Sequence, residues 1–295
     1  MTDSQHPLRF GLIGVDSSHS VQFTRLLGDG RTGRVAGATV SSAFQAPTSA
    51  DFPPSRDRND ALAAEVEGLG VQLQSSPEAV ADASDALLIV ASDVRTHRDH
   101  FTRVAPFGKP VYVDTRFARG PDDARAMLQL AAENGCLVLG GSPKRFTPQF
   151  ASALGEGVDG VILTGPVPTQ PAHEGLRWYG VHLVDLAVAA LGPGCARVEP
   201  VDGRLLLHWH DGRVADIGGP AEWNPYTRGI VRAGGVARGF TIEADESMLA
   251  GLLRSIVAAC RTGLPNMPAA HLLEITAIVE AGTAAMGTRS VVHLP

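Results

Sequence analysis

The sequence predicts an α/β fold, with an N-terminal doubly wound parallel sheet followed by a C-terminal α+β domain built on a mainly antiparallel sheet. Three observations carry this. Apolar runs of strand length alternate with helix-like segments as far as Gly141, the pattern of strands buried on both faces by crossover helices. Beyond Gly141 the alternation stops. Further on, Arg204 to His210 and Arg213 to Ile217 flank Asp211-Gly212, a hairpin signal that parallel sheets lack.

The elements follow in order. Arg9 to Ile13 reads as a buried strand, Gly14 to His19 as a tight turn, and Ser20-Val21-Gln22-Phe23 as the start of a helix. Val35 to Phe44, Val71 to Leu73, Ala86 to Ala91, Pro110 to Val113 and Cys136 to Leu139 complete a set of six strands. Phe44 to Arg58, with Pro47, Pro53 and Pro54, reads as a loop. Pro121-Asp122-Asp123 places proline and acids in a first helical turn, Ala124 to Ala132 is rich in helix formers, and Gly135 is the stop. In the second half, Pro166 to Pro171 reads as a loop and Val181 to Leu191 as an apolar helix ended by Gly192-Pro193-Gly194. Two amphipathic helices, near Ser247 to Cys260 and Ala269 to Ala285, follow the hairpin. At 295 residues and 44% hydrophobic content, two domains are expected, 1–141 and 142–295.

Composition excludes several classes of partner. No run approaches the roughly 18 to 20 apolar residues of a membrane span, and the first ten residues lack a secretory pattern, so a cytoplasmic protein with no membrane partner is expected. Cys136, Cys195 and Cys260 are far apart without C-x-x-C spacing, which suits buried thiols. A formal charge of −6 with scattered arginines offers no basic stripe for nucleic acid. A small molecule is the expected partner.

The turn after the first strand is where a Rossmann-type fold carries its phosphate loop, because the helix N-terminus directs free amides and the positive end of its dipole at a pyrophosphate. Of the G-x-G-x-x-G fingerprint only Gly14 survives, with Asp16 and His19 at the other two positions. Two readings stand open. Asp16 or Ser17 caps the helix, or Ser17, Ser18 and the amides hold the pyrophosphate with Asp16 turned away. A ribose-binding acid is expected roughly 20 residues on, yet Val40-Ser41-Ser42-Ala43 stands there. A 2′-phosphate held by Ser42 with Arg56 or Arg58 is the alternative, which inclines the expected cofactor to NADP over NAD. Both arginines equally suit surface charges.

Several stretches, in order along nearly the whole chain, resemble the Gfo/Idh/MocA oxidoreductases. Ala86 to Ala91 followed by Ser92-Asp93-Val94-Arg95-Thr96-His97 is similar to that family's fourth strand and nicotinamide-side loop. Gly108-Lys109-Pro110-Val111-Tyr112-Val113-Asp114-Thr115-Arg116 sits where the family has G-K-H-V-x-x-E-K-P. Gly140 to Phe146 resembles G-x-N-R-R-F, and Tyr179-Gly180-Val181-His182-Leu183-Val184-Asp185 resembles D-x-G-x-H-x-x-D. The departures are specific: Thr115 replaces the lysine that supports proton transfer, Arg116 replaces the proline, and Trp178 replaces the aspartate that pairs with the histidine.

The resemblance implies an NAD(P)-dependent oxidoreductase acting on a hydroxyl, ketone or imine of a small polar, sugar-like molecule or biosynthetic intermediate. Hydride would pass in the cleft between the domains. His182 would be the acid/base, an imidazole of unperturbed pKa ~6.5 suiting proton exchange near neutrality. Asp185, one turn on, would orient it. The chain's only lysines are Lys109 and Lys144, so Lys144 is the candidate replacement ammonium, with Thr115 at most a hydrogen-bond donor. Arg145, Trp178, Tyr179 and Asp185 are expected at the substrate, and Gly14, Asp16, Ser17, Ser18, His19, Ser42, Arg56, Ser92, Asp93, His97 and Asp114 at the cofactor. Each has a plainer reading: a lone histidine on an apolar helix is usually core, and loop aromatics often only cover a sheet. The H-x-x-H pair His97 and His100, and His208 with His210, lack a third ligand, so no metal is expected. A homodimer formed through the C-terminal sheet is implied as well. The lost lysine and glycines leave two rival readings, a redox-inactive member that binds a ligand or stabilises a partner, and a non-redox lyase or isomerase.

Overall fold

The computed structural model describes residues 6–295. In chain order it runs β1 (Leu8–Ile13), α1 (Ser18–Leu27), β2 (Ala38–Phe44), α2 (Pro53–Arg56), α3 (Asn59–Gly68), β3 (Gln72–Leu73), α4 (Pro77–Ala83), β4 (Ala86–Ile89), α5 (His97–Val104), β5 (Val111–Val113), α6 (Pro121–Asn134) and β6 (Val138–Leu139). It continues with α7 (Pro148–Ala153), β7 (Val158–Thr164), α8 (Val181–Leu191), β8 (Cys195–Val201), β9 (Arg204–Trp209), β10 (Val214–Gly218), β11 (Tyr226–Ala233), β12 (Val236–Glu243), α9 (Glu246–Thr262), α10 (Ala269–Thr288) and β13 (Val292–His293).

The chain divides into two compact units, the first ending at Gly140 but taking in Leu249–Met267, the second comprising Gly141–Met248 and Pro268–Pro295. The expected division put everything after residue 141 in the second domain. The difference is α9, whose end is tied to the first unit where Arg261 donates to the Gly37 carbonyl at 2.9 Å. Asn266, just beyond, exchanges hydrogen bonds with the backbone of Gly140.

The first unit is a six-stranded sheet of order β3-β2-β1-β4-β5-β6, parallel at every pairing. The strand order reverses between β1 and β4, which sets a crevice at their carboxyl ends. Phe10, Leu12 and Ile13 of β1, Leu87, Leu88 and Ile89 of β4 and all of β5 are fully buried. Each such apolar side chain contributes about 1.5–3 kcal/mol by leaving water. Local chemistry sets the helix ends. Ser76 caps α4 by accepting from the Ala79 amide, with Pro77 following it. α6 stops where Gly135 takes the left-handed conformation, φ +65°, and its amide returns to Ala131 O. Within the predicted loop 44–58, Pro53 and Pro54 open the single turn of α2.

The second unit is a seven-stranded sheet of order β12-β11-β7-β10-β9-β8-β13. It is antiparallel except where β10 lies parallel to β7. The β9–β10 hairpin falls where Asp211-Gly212 predicts it, with Gly212 at φ +89°. A second hairpin, β11–β12, turns through Gly234 and Gly235, both at positive φ. Exposure in β11 alternates strictly, so one sheet face is core and the other carries Tyr226, Arg228, Ile230 and Arg232. No helix among the described residues is long and apolar enough to cross a membrane.

Candidate active site

The loop after β1 shows how Asp16 and Ser17 are turned. Gly14 has φ +78°, and a Cβ there would lie 2.7 Å from the Ala91 Cα, so the residue keeps β1 close against β4's exit. Ser17 is the cap of α1, its Oγ accepting from the His19 amide at 3.2 Å. Asp16 is buried and turned away from the helix: its Oδ1 accepts from the Ser92 amide at 3.0 Å, while the Ser92 hydroxyl donates to the Asp16 carbonyl at 3.1 Å. The helix N-terminus is therefore clear of its neighbouring carboxylate, and Ser18 is exposed beside it.

Around the same rim, several residues expected at a cofactor are committed elsewhere. Ser42 is buried with its hydroxyl 3.0 Å from that of Ser84, so it cannot receive a 2′-phosphate. Arg56 is paired with Asp57 and bonded to Ala50 O. Arg58 instead donates to the Ser92 hydroxyl at 3.1 Å. Asp93 accepts from Ser49 at 2.6 Å and from Arg95, which also grips Asp51. Burial opposes ionisation of Asp93, but the Arg95 guanidinium and Ser49 hydroxyl outweigh it and hold its carboxyl at about 2. His97 is fully buried, with Nε2 2.7 Å from Ala91 O and Nδ1 3.4 Å from Phe117 O. Burial pushes its pKa down, and the ring serves as an internal strut between two loops.

Asp114 and His19 come together across 95 residues of sequence, Nδ1 to Oδ2 at 2.6 Å. Asp114 also accepts from the Tyr112 hydroxyl and the Thr115 amide, both at 2.8 Å. Burial disfavours its charge, yet the facing His19 and these donors hold the carboxyl well below the usual carboxylate range. Thr115 is itself buried.

In the second unit, His182 opens α8 and its Nδ1 lies 2.8 Å from the Ser142 hydroxyl. Ser142 Oγ also accepts from the Lys144 amide at 3.3 Å. The expected orienting role of Asp185 is corrected accordingly. Its carboxylate takes the Ser142 amide at 3.1 Å and the Arg145 Nε at 2.7 Å, and so braces the segment that holds His182. Arg145, expected at substrate, is spent on this ion pair, with side chains only 10% and 2% exposed, and on His271. Lys144 is buried, its Nζ donating to Thr227 at 2.6 Å, and burial lowers its pKa to about 8. Lys109 by contrast donates to the carbonyls of Ala81 and Ser84, where it finishes α4. Tyr179 meets the His182 ring edge-on at 5.4 Å and accepts from Trp223 Nε1, while Trp178 packs against His173. His208 pairs with Glu199.

Ser142, Thr227 and His271 were not singled out from sequence. Ser142 had a local signal, since Ser-Pro is a cap pattern and it does cap the turn 143–146. Thr227 had none, lying 83 residues from Lys144.

The arrangement thus sets an imidazole held at Nδ1, and an amine whose pKa burial lowers to about 8, in the second unit. No known family model matches the sequence, and no curated protein matches it. Solved structures do. A candidate myo-inositol dehydrogenase from Sinorhizobium meliloti 1021 is 19% identical, with TM-score 0.78 over 98% of this chain and 100% of that one. GenD2 from gentamicin A biosynthesis, in complex with NAD, is 14% identical, with TM-score 0.76 over 100% and 98%. The scyllo-inositol dehydrogenase of Lactobacillus casei, with bound NAD(H) and scyllo-inositol, is 13% identical, with TM-score 0.75 over 97% and 99%. At such identities the likeness establishes the fold: the chain shares, over its whole length, the two-sheet architecture of these dehydrogenases.

Proposed function

We propose that the protein is an NAD(P)-dependent oxidoreductase acting on a hydroxyl, ketone or imine of a small, sugar-like polar molecule. The observation that carries this reading is the withdrawal of Asp16 into the Ser92 amide, which turns its carboxylate away from a pyrophosphate at the α1 N-terminus. The residues present fit the cofactor there. Gly14 keeps the backbone close, and Ser17, Ser18 and His19 line the exposed tip. With Ser42 buried, Arg58 is the remaining candidate for a 2′-phosphate, and the reason to prefer NADP over NAD weakens. A bound nicotinamide would accept or give up hydride.

His182 is the acid/base in this reading, exchanging a proton with the substrate at Nε2 while Ser142 holds Nδ1. Lys144 steadies negative charge or shares the proton. Trp178 and Tyr179 wall the substrate. The solved neighbours that carry inositol dehydrogenase names support a polyol as the substrate class. The outer sheet face, with Tyr226 39% and Ile230 41% exposed, supports a homodimer formed through it, and sedimentation as a monomer at micromolar concentration would oppose that. The deciding experiment is calorimetric titration with NADH, NADPH and their oxidised forms; binding at low micromolar supports the reading, and no binding of any of the four overturns it. Given a substrate, His182→Ala should lower turnover on the order of 100-fold while the fold persists, and unchanged turnover would remove the role.

A further inference from the structure

The His19–Asp114 pair is built like an acid–base dyad. One ring nitrogen of His19 is held at 2.6 Å by a carboxylate that is only 9% exposed, and the ring itself is 22% exposed. The carboxylate is fixed in turn by the Tyr112 hydroxyl and the Thr115 amide. The ring is stacked on Phe23 at 5.0 Å, and Phe23 packs edge-on against Tyr112. Both ring orientation and tautomer are thereby set, with Nδ1 inward and Nε2 the nitrogen left for a ligand.

We infer that His19, positioned by Asp114, carries a proton onto its Nε2 for a nicotinamide cofactor bound at the end of β1, so that cofactor binding to this unit is linked to proton uptake. The inference rests on the oxidoreductase reading above. The groups facing His19 are few. β5 supplies Tyr112, the residue after it is Asp114, and His19's own helix supplies Phe23. Asp16, three residues before His19, is turned to Ser92, and Arg116 donates to the Ser92 carbonyl. Among the described residues, the charge that the structure places on the ring is the Asp114 carboxylate, itself held ionised by His19, the Tyr112 hydroxyl and the Thr115 amide. At an exposed helix start the dipole opposes a cation; Asp114 offsets this, and an anionic cofactor adds to the offset. The same imidazole stands within one hydrogen-bonded cluster of Thr115, where the family lysine is missing.

The test is NADH binding by fluorescence and calorimetry from pH 6 to 9, in two buffers of different ionisation enthalpy, for wild type, His19→Gln and Asp114→Asn. Binding to the imidazolium form predicts proton uptake and an affinity that falls up to tenfold per pH unit above the pKa of His19. His19→Gln should bind more weakly at low pH, with a flat profile and no proton uptake. Asp114→Asn should move the fall to lower pH, a change that a merely structural role would not produce. Wild-type binding whose pH dependence and proton uptake persist in His19→Gln overturns this inference and leaves the oxidoreductase reading standing. Absence of wild-type binding at every pH, with NADPH failing too, overturns both.

Discussion

Lys144→Met should change how stability depends on pH, and the size of the effect follows from the structure. The ammonium is 5% exposed, its partner is the Thr227 hydroxyl, and burial is the influence that brings its pKa from 10.5 to about 8. At about 1.4 kcal/mol for each tenfold change in proton affinity, the buried charge costs about 3 kcal/mol. Below about pH 8 both folded and unfolded chains hold the proton, so the full cost is present. Between about 8 and 10.5 the unfolded chain holds more protons than the folded one, so wild-type stability rises with pH. The methionine variant lacks this rise. It also leaves Thr227 without its donor, a loss of about 1–3 kcal/mol that does not vary with pH. Urea unfolding of both proteins from about pH 7 to pH 10, read by tryptophan fluorescence, should show the difference shifting toward wild type by about 2 kcal/mol or more. Groups shared by the two proteins cancel in that difference. A constant difference across the range would mean that Lys144 keeps its ordinary proton affinity in the fold, and the reasoning from burial would fail.

Two further outcomes test the scaffold around the candidate site. Asp185→Asn leaves the Arg145 guanidinium enclosed against an amide and should cost about 3–5 kcal/mol in urea unfolding; a loss below about 1 kcal/mol would show that Arg145 can reach water. Gly14→Ala places a methyl 2.7 Å from the Ala91 Cα at φ +78° and should lower stability by about 1–3 kcal/mol, whereas a wild-type melting temperature would show that β1 and β4 can part at no cost.

The first sheet was legible because its signal is local. Six apolar runs of strand length alternating with helix-like segments indicate a parallel sheet, and the fold supplies its strand order. The Asp211-Gly212 turn was legible for the same reason. The β11–β12 hairpin carried an equally local Gly234-Gly235 signal that the reading passed over. Amphipathic periodicity marked α9 as a helix but says only that one face is buried, not against what, so its place in the first unit had to come from the fold. At the candidate site, sequence picked out His19, Asp114, His182, Asp185, Lys144 and Arg145 as residues of interest but not the partners that hold them. Asp185 was matched to His182 by helical spacing, whereas the fold gives it Ser142 and Arg145; Ser42 was offered to a phosphate and is buried against Ser84. The sequence by itself determined the strands of the first sheet, the β9–β10 hairpin and the helices α1, α6, α8, α9 and α10, since hydrophobic period and end chemistry act over a few residues. Only the tertiary structure decided which way Asp16 turns, what holds His19 and how deeply Lys144 is buried, because these rest on groups 76 to 95 residues away whose contact exists only once the chain has folded.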